Sequence, residues 1–130
     1  MEPIEALERV AYLQDRGMVP SQKTAAFLKA ADILRELPDA ELDRRLADGT
    51  LTELAGIGAS TAAVITEAAA GDVPARITDL EATTQIPLGG GAPIRAAIKG
   101  DLHSHSTWSD GGASVETMAC AAMALGHDYL

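Results

Sequence analysis

The sequence predicts a mainly α protein: a bundle of four to five short helices, a linker, and then one strand–helix–strand unit. Three observations carry this. Apolar residues recur at helical spacing through the first eighty positions, with glycine and proline breaking each run. Pro87, Gly89, Gly90, Gly91 and Pro93 crowd into residues 83–99, the composition of a connection. Beyond them, a short run ending in Asp101-Leu102, a helical stretch and a second short run stand in βαβ order.

Taken from the amino end, residues 2–16 predict a helix with Ile4, Leu7, Val10, Ala11 and Leu13 along one side, ended by Gly17 before Pro20. Ser21 is the expected N-cap of a second helix reaching Glu36, with Ala25, Leu28, Ile33 and Leu37 apolar and Phe27 beside them. Pro38-Asp39 opens a third, carrying Leu42 and Leu46 to a stop at Gly49. A short helix over 50–54, a Gly56-Ile57-Gly58 turn and a helix to Ala70 follow, with Gly71 in the C′ position. Pro74 is expected at the first position of a short helix ending near Ala82. After the linker, Ile94–Ile98 form a short amphipathic piece. Ser114 caps a helix to Leu125, whose apolar side is Met118, Cys120, Ala121, Ala122 and Leu125. His127–Leu130 reads as the next strand, and the βαβ unit stops before that strand is complete.

Composition narrows the function. At 130 residues and 13.5 kDa the chain has room for one ordinary domain or a small domain plus a fragment, and a full (β/α) barrel does not fit. Small apolar side chains and only 3 % aromatics favour closely packed helices over a β-sandwich. A net charge of −9 argues against a generic polyanion binder, because such binding comes from Lys and Arg neutralising phosphates. Cys120 is the single cysteine, so no internal disulfide forms. No leader-like or membrane-spanning apolar run is present, and a soluble cytoplasmic protein is the expectation.

Residues 51–71, LTELAGIGASTAAVITEAAAG, carry the first chemistry. Two glycines permit backbone torsions that side chains forbid, with positive φ expected at Gly58, and Ile57 between them plugs the turn into the core. The unpaired N–H groups opening the following helix then face outward, where they suit a phosphate oxygen. The bland alternative is a plain αα-corner. This stretch resembles the helix-hairpin-helix motif, with Ala55 in place of the usual proline, and residues 1–82 resemble the amino-terminal domain of X-family DNA polymerases. The resemblance implies weak DNA binding through the amides of Gly56, Gly58 and Ser60, and a monovalent cation on the carbonyls of Thr52, Leu54 and Ile57. The lysines that perform lyase chemistry in that family are replaced by Ser60 and Val64, so lyase activity is not carried over. Lys23 and Lys29 are candidates for phosphate contact, or plain solvated surface.

The second motif is Gly100–Gly112, GDLHSHSTWSDGG. On a strand, period-2 alternation sets His103 and His105 on one face, and imidazole is the commonest transition-metal ligand. Asp110 follows close by. The plain alternative is a polar strand end with two incidental histidines. The string resembles the first motif of PHP (polymerase and histidinol phosphatase) domains, at Asp101, Leu102, His103, His105, Ser106, Ser109, Asp110 and Gly111. That resemblance implies the start of a PHP (β/α)7 barrel over residues 100–130. It also implies divalent zinc or manganese held by His103, His105 and Asp110.

Two functions compete. One is a DNA-docking helical domain (1–82) joined by a linker (83–99) to the start of a metal-dependent phosphoesterase acting on DNA or nucleotide phosphate esters in a full-length protein. The other is a stand-alone DNA-binding or interaction module with a non-catalytic remnant. In either case too few metal ligands are present for this chain alone to be active, and no catalytic residue is assigned. The unpaired strand edge offers a contact for oligomerisation, and no membrane partner is expected.

Overall fold

The computed structural model describes all of residues 1–130, and the chain divides into two compact units, Met1–Ile86 and Pro87–Leu130. The mainly helical expectation holds, and no helix is long and apolar enough to cross a membrane.

In the first unit, α1 (Pro3–Arg16) buries Ala6, Leu7, Val10, Ala11, Leu13 and, unexpectedly, Gln14. Against it lies α2 (Ser21–Glu36), whose buried face is Thr24, Phe27, Ala30, Ala31 and Leu34. This face is rotated from the one the larger apolar residues mark. Leu28, Ile33 and Leu37 are half-buried flanks, and Ala25 is exposed. Alanines at the contact let two helix backbones approach closely, and the bulky residues then close the sides. Ser21 is the first helical residue instead of the cap, and Pro20 precedes it with no side-chain capping bond.

Next, α3 (Asp39–Asp48) lies on the periphery, with Leu42 and Leu46 half-buried against the core and Gly49 closing it at φ +67°. Its surface is tied by Glu41, which accepts from Arg44 (2.7 Å) and Arg45 (2.7 Å). The hydrogen bond from Arg44, then that from Arg45, holds the Glu41 carboxyl at about 2, below its ordinary 4.5. A depressed carboxyl stabilises the fold above its unfolded value, and that contribution is lost as pH falls from 4.5 towards 2.

A 3-10 turn at Leu51–Glu53 leads to α4 (Ala59–Ala69) and α5 (Ala75–Thr83). Gly71 ends α4 at φ +87°, with its N–H on Ala68 O and the next N–H on Glu67 O. Pro74 caps α5 from outside instead of occupying its first position, and its ring is fully buried. The Glu67 carboxylate accepts the Ala75 N–H at 2.7 Å, which places negative charge at the positive end of α5. Leu7, Val10, Leu13, Val64, Ile65 and Ile77 form the fully buried centre of the unit.

The second unit corrects two expectations, the strands of the βαβ unit and the packed side of the last helix. The linker 83–99 contains a 3-10 turn at Gly89–Gly91 and a short helix, α6 (Ala92–Ala97). Pro93 stands in its first turn, where proline's missing N–H costs nothing. No strand forms, and the start of a barrel is not visible. The βαβ unit is reduced to one parallel bridge between Gly100 and Tyr129, with Asp101 N–H on Tyr129 O (3.3 Å) and Asp128 N–H on Lys99 O (2.6 Å). Two short runs with no third strand and no covered face do not propagate a ladder. Helix α7 (Val115–Ala124) is capped by Ser114, which accepts the Thr117 N–H at 3.1 Å, as its sequence predicts. Its apolar side is not a core: Ala122 alone is buried, and Cys120, expected to pack, is exposed.

Ile65→Ala should cost about 2–5 kcal/mol in urea unfolding followed by helical circular dichroism. Met123→Ala, on the exposed side of α7, should change it by less than about 0.5 kcal/mol. Glu41→Gln should flatten the loss of helical signal between pH 4.5 and about 2 relative to the unsubstituted chain.

Candidate nucleic-acid interface and histidine cluster

The hairpin is held in place by its first glycine. Gly56 has φ +99°, and a Cβ there would sit 2.6 Å from Ile33 Cδ1 and 3.2 Å from Lys29 Cε. Gly58 is extended (φ −95°, ψ 176°) with open space around it. The expectation of positive φ at Gly58 is therefore corrected: the turn's reversal, and the close approach to α2, both occur at Gly56. Ile57 is buried as its position between the glycines predicts, and its N–H bonds Leu54 O at 3.0 Å.

The N–H of Gly58 is taken up internally by Thr61 Oγ1 (2.9 Å), whose hydroxyl in turn donates to Gly58 O (3.0 Å). Thr61 is buried, so this reciprocal pair fixes the entry to α4 from below. The N–H groups of Ala59 and Ser60, in the first turn of α4, have no protein partner. They open onto a cleft of about 480 Å³ lined by Gln14, Lys23, Phe27 and Arg76 as well as the hairpin itself. No carboxylate lines it.

The charge distribution of this unit is uneven. Arg9 pairs with Glu81, Arg35 with Glu8 and Asp32, Arg44 with Glu41 and Asp48, and Arg45 with Glu41 and Glu53. Arg16 donates to Thr84 Oγ1. The cations of this unit with neither a carboxylate nor a side-chain hydrogen-bond partner are Lys23, Lys29 and Arg76; Arg16 has the Thr84 hydroxyl alone. Lys23 and Arg76 line the cleft, and the stem of Lys29 lies beside Gly56. The net charge of −9 is a property of the whole chain, and it does not describe this edge.

Sequence reasoning missed Arg76 and Gln14. Gln14 is wholly buried, and neither its Nε2 nor its Oε1 has a protein partner, a deficit of about 1–3 kcal/mol for a buried polar group. Its signal was present: position 14 continues the Leu7, Val10/Ala11 face at helical spacing, and a polar residue there breaks the pattern.

In the second unit, His103 and His105 do converge, without a strand to hold them. Their Nε2 atoms are 3.0 Å apart and the rings stack at 5.0 Å between centroids. Asp101 accepts the His103 N–H at 2.9 Å. The loop that follows folds on itself, with Gly111 N–H on Ser106 O (3.0 Å) and Thr107 N–H on Ala113 O (2.8 Å). Any side chain at Gly111 would meet the His105 carbonyl, so this closure needs glycine. It brings the Asp110 carboxylate onto His105 Nδ1, the position from which a carboxylate orients an imidazole so that Nε2 is free to ligate. Two imidazole nitrogens at this separation suit adjacent positions on one ion, but no set of three His, Cys, Asp or Glu side chains gathers around a common point. The cluster is exposed, as is the neighbouring Trp108.

A stretch of 33 residues, 25 % of this chain, is 58 % identical to a protein of Bacillus subtilis (strain 168) described as DNA polymerase/3'-5' exonuclease PolX. The likeness is local. It spans 6 % of that protein's length. No family model matches the chain, and no solved structure matches it.

Gly56→Val should destabilise the first unit by roughly 1–3 kcal/mol, through strain at positive φ and the clash with Ile33. Gly58→Ala should leave its thermal transition nearly unchanged. Equal effects of the two substitutions would contradict the division of labour described for the hairpin.

Proposed function

We propose that residues 1–82 form a DNA-docking domain that binds a phosphate at the amino end of α4. Residues 83–99 then connect it to a segment, 100–130, that belongs to a PHP-type metal-dependent phosphoesterase acting on DNA or nucleotide phosphate esters in a full-length protein. One observation carries the docking: partnerless N–H groups of Ala59 and Ser60 share a carboxylate-free cleft with the unpaired cations Lys23 and Arg76. Gly56 N–H and Lys29 extend this edge toward the turn. The carbonyls of Thr52, Leu54 and Ile57 are the proposed holders of a monovalent cation. The local likeness to a protein described as a DNA polymerase and exonuclease fits a DNA-related role.

For the second segment, His103 and His105 would hold a divalent zinc or manganese ion through Nε2, with Asp110 behind His105. Such an ion supplies Lewis acidity toward a phosphoryl oxygen. Two convergent imidazoles are too few ligands to fix an ion with an open position, and further ligands must come from elsewhere. That shortage favours the second reading, a docking or interaction module without catalysis in this chain.

On a nicked duplex, fluorescence anisotropy should give weak binding, with log K falling against log salt no more steeply than about −3, since about 0.9 arises per neutralised phosphate. Lys23→Glu combined with Arg76→Glu should lower affinity at least about tenfold, as each charge reversal removes a phosphate partner. Undiminished affinity in that folded variant would remove the cleft from the docking surface. With an activated phosphate ester and added manganese, the chain should show little turnover. Robust hydrolysis that disappears in His103→Ala/His105→Ala would instead show that these residues complete a working centre.

A further inference from the structure

Resting on the reading of the α4 cleft as a phosphate-docking site, we infer that its ligand is a whole nucleotide, base included, and that Gln14 contacts the base. A phosphate group alone would fill a small part of this half-open cleft of about 480 Å³, which leaves room beside it for a sugar and a base. The phosphate end of such a ligand has its partners in the Ala59 and Ser60 amides, Lys23 and Arg76. None of these explains Gln14.

Gln14 lines the same cleft from α1, is wholly buried, and has both an unpaired donor and an unpaired acceptor. Polar side chains in a core are nearly always paired, with protein, ordered water or a ligand, and Gln14 has no partner within the protein. A carboxamide offers N–H beside C=O, and the Watson–Crick edge of each nucleobase offers a donor beside an acceptor that a carboxamide can match. A deoxyribose phosphate lacking a base has no such edge. The remaining walls suit a flat, largely apolar ring: Ala26 and Phe27 line the cleft, and the Arg76 guanidinium lies 5.7 Å from the Phe27 ring centre. Thr61, the other polar side chain below the hairpin, is already paired with Gly58. That leaves Gln14 as the buried polar side chain of this cleft with donor and acceptor both free, whereas the Ser60 hydroxyl is exposed to solvent.

The base could belong to a free mononucleotide or to an unpaired nucleotide of a DNA strand, and the chemistry at Gln14 is the same for both. The test uses the full chain labelled with 15N, reading the Ala59 and Ser60 amides and the Gln14 side-chain NH2. It is titrated separately with inorganic phosphate, 2-deoxyribose 5-phosphate and dAMP. All three should shift Ala59 and Ser60; dAMP alone should shift Gln14 and should bind at least about tenfold tighter than inorganic phosphate, the discrimination a bidentate amide–base pair supplies. A duplex with one unpaired adenosine should displace dAMP if the nucleotide is taken from DNA, and the same duplex with an abasic site there should do so at least about tenfold less well. A duplex that fails to displace dAMP assigns the free mononucleotide as ligand. In Gln14→Met, dAMP should bind no tighter than phosphate, and the melting temperature should rise, because an unpaired buried amide is replaced by an apolar chain of similar length. A fall in melting temperature would mean that Gln14 has a structural partner, and would overturn the inference. So would a Gln14 resonance that ignores dAMP while Ala59 and Ser60 respond, an outcome that leaves phosphate docking intact. Silence of Ala59 and Ser60 towards all three ligands would reject the docking reading itself.

Discussion

The geometry of the first unit depends on how closely one backbone atom approaches a helix. Gly56 rests against Ile33 and the stem of Lys29 with no room for a Cβ, in a conformation that L side chains avoid. That contact sets where Ile57 enters the core, and the buried Ile57 sets the start of α4. From there the reciprocal Thr61–Gly58 bonds consume one amide internally and leave the next two facing the cleft. Backbone fit, burial and donor exposure are thus consecutive consequences of one missing side chain.

Helix boundaries in the first unit were legible because they are local events. Gly17, Gly49 and Gly71 end their helices where the sequence places the stops, and Leu7, Val10 and Leu13 lie on the side that periodicity marks. The buried face of α2 was less legible. Its centre is Ala30 and Ala31, and alanine gives no signal in an apolar pattern unless the partner helix is known. Gln14 and Arg76 join the cleft from two helices far apart in the chain, a convergence that no window of sequence contains. The assignment of positive φ to Gly58 went wrong for a related reason: two glycines in one turn look alike until α2 is beside one of them.

In the second unit, the spacing His-x-His brought two imidazoles together although the strand that was to hold them is absent. What replaces it is a loop closed by Gly111, which turns Asp110 back onto His105. The motif therefore carries its own local geometry, independent of a sheet. Its surroundings do not carry a core: Leu102 is 89 % exposed and Met123 76 % exposed.

The ion pairing of α1, α2 and α3 has a kinetic consequence. At distances beyond about 10 Å in 0.1 M salt, a polyanion meets only the screened remainder of the molecule's net negative field. Most arginines are neutralised close at hand, so nothing would draw a polyanion in from afar, and an encounter would proceed without electrostatic steering. Attraction begins only when a phosphate is already within reach of Lys23, Lys29 and Arg76. On the docking proposed above, selectivity would rest on geometry at contact, where an end or a displaced nucleotide could enter a cleft that a smooth duplex slides past.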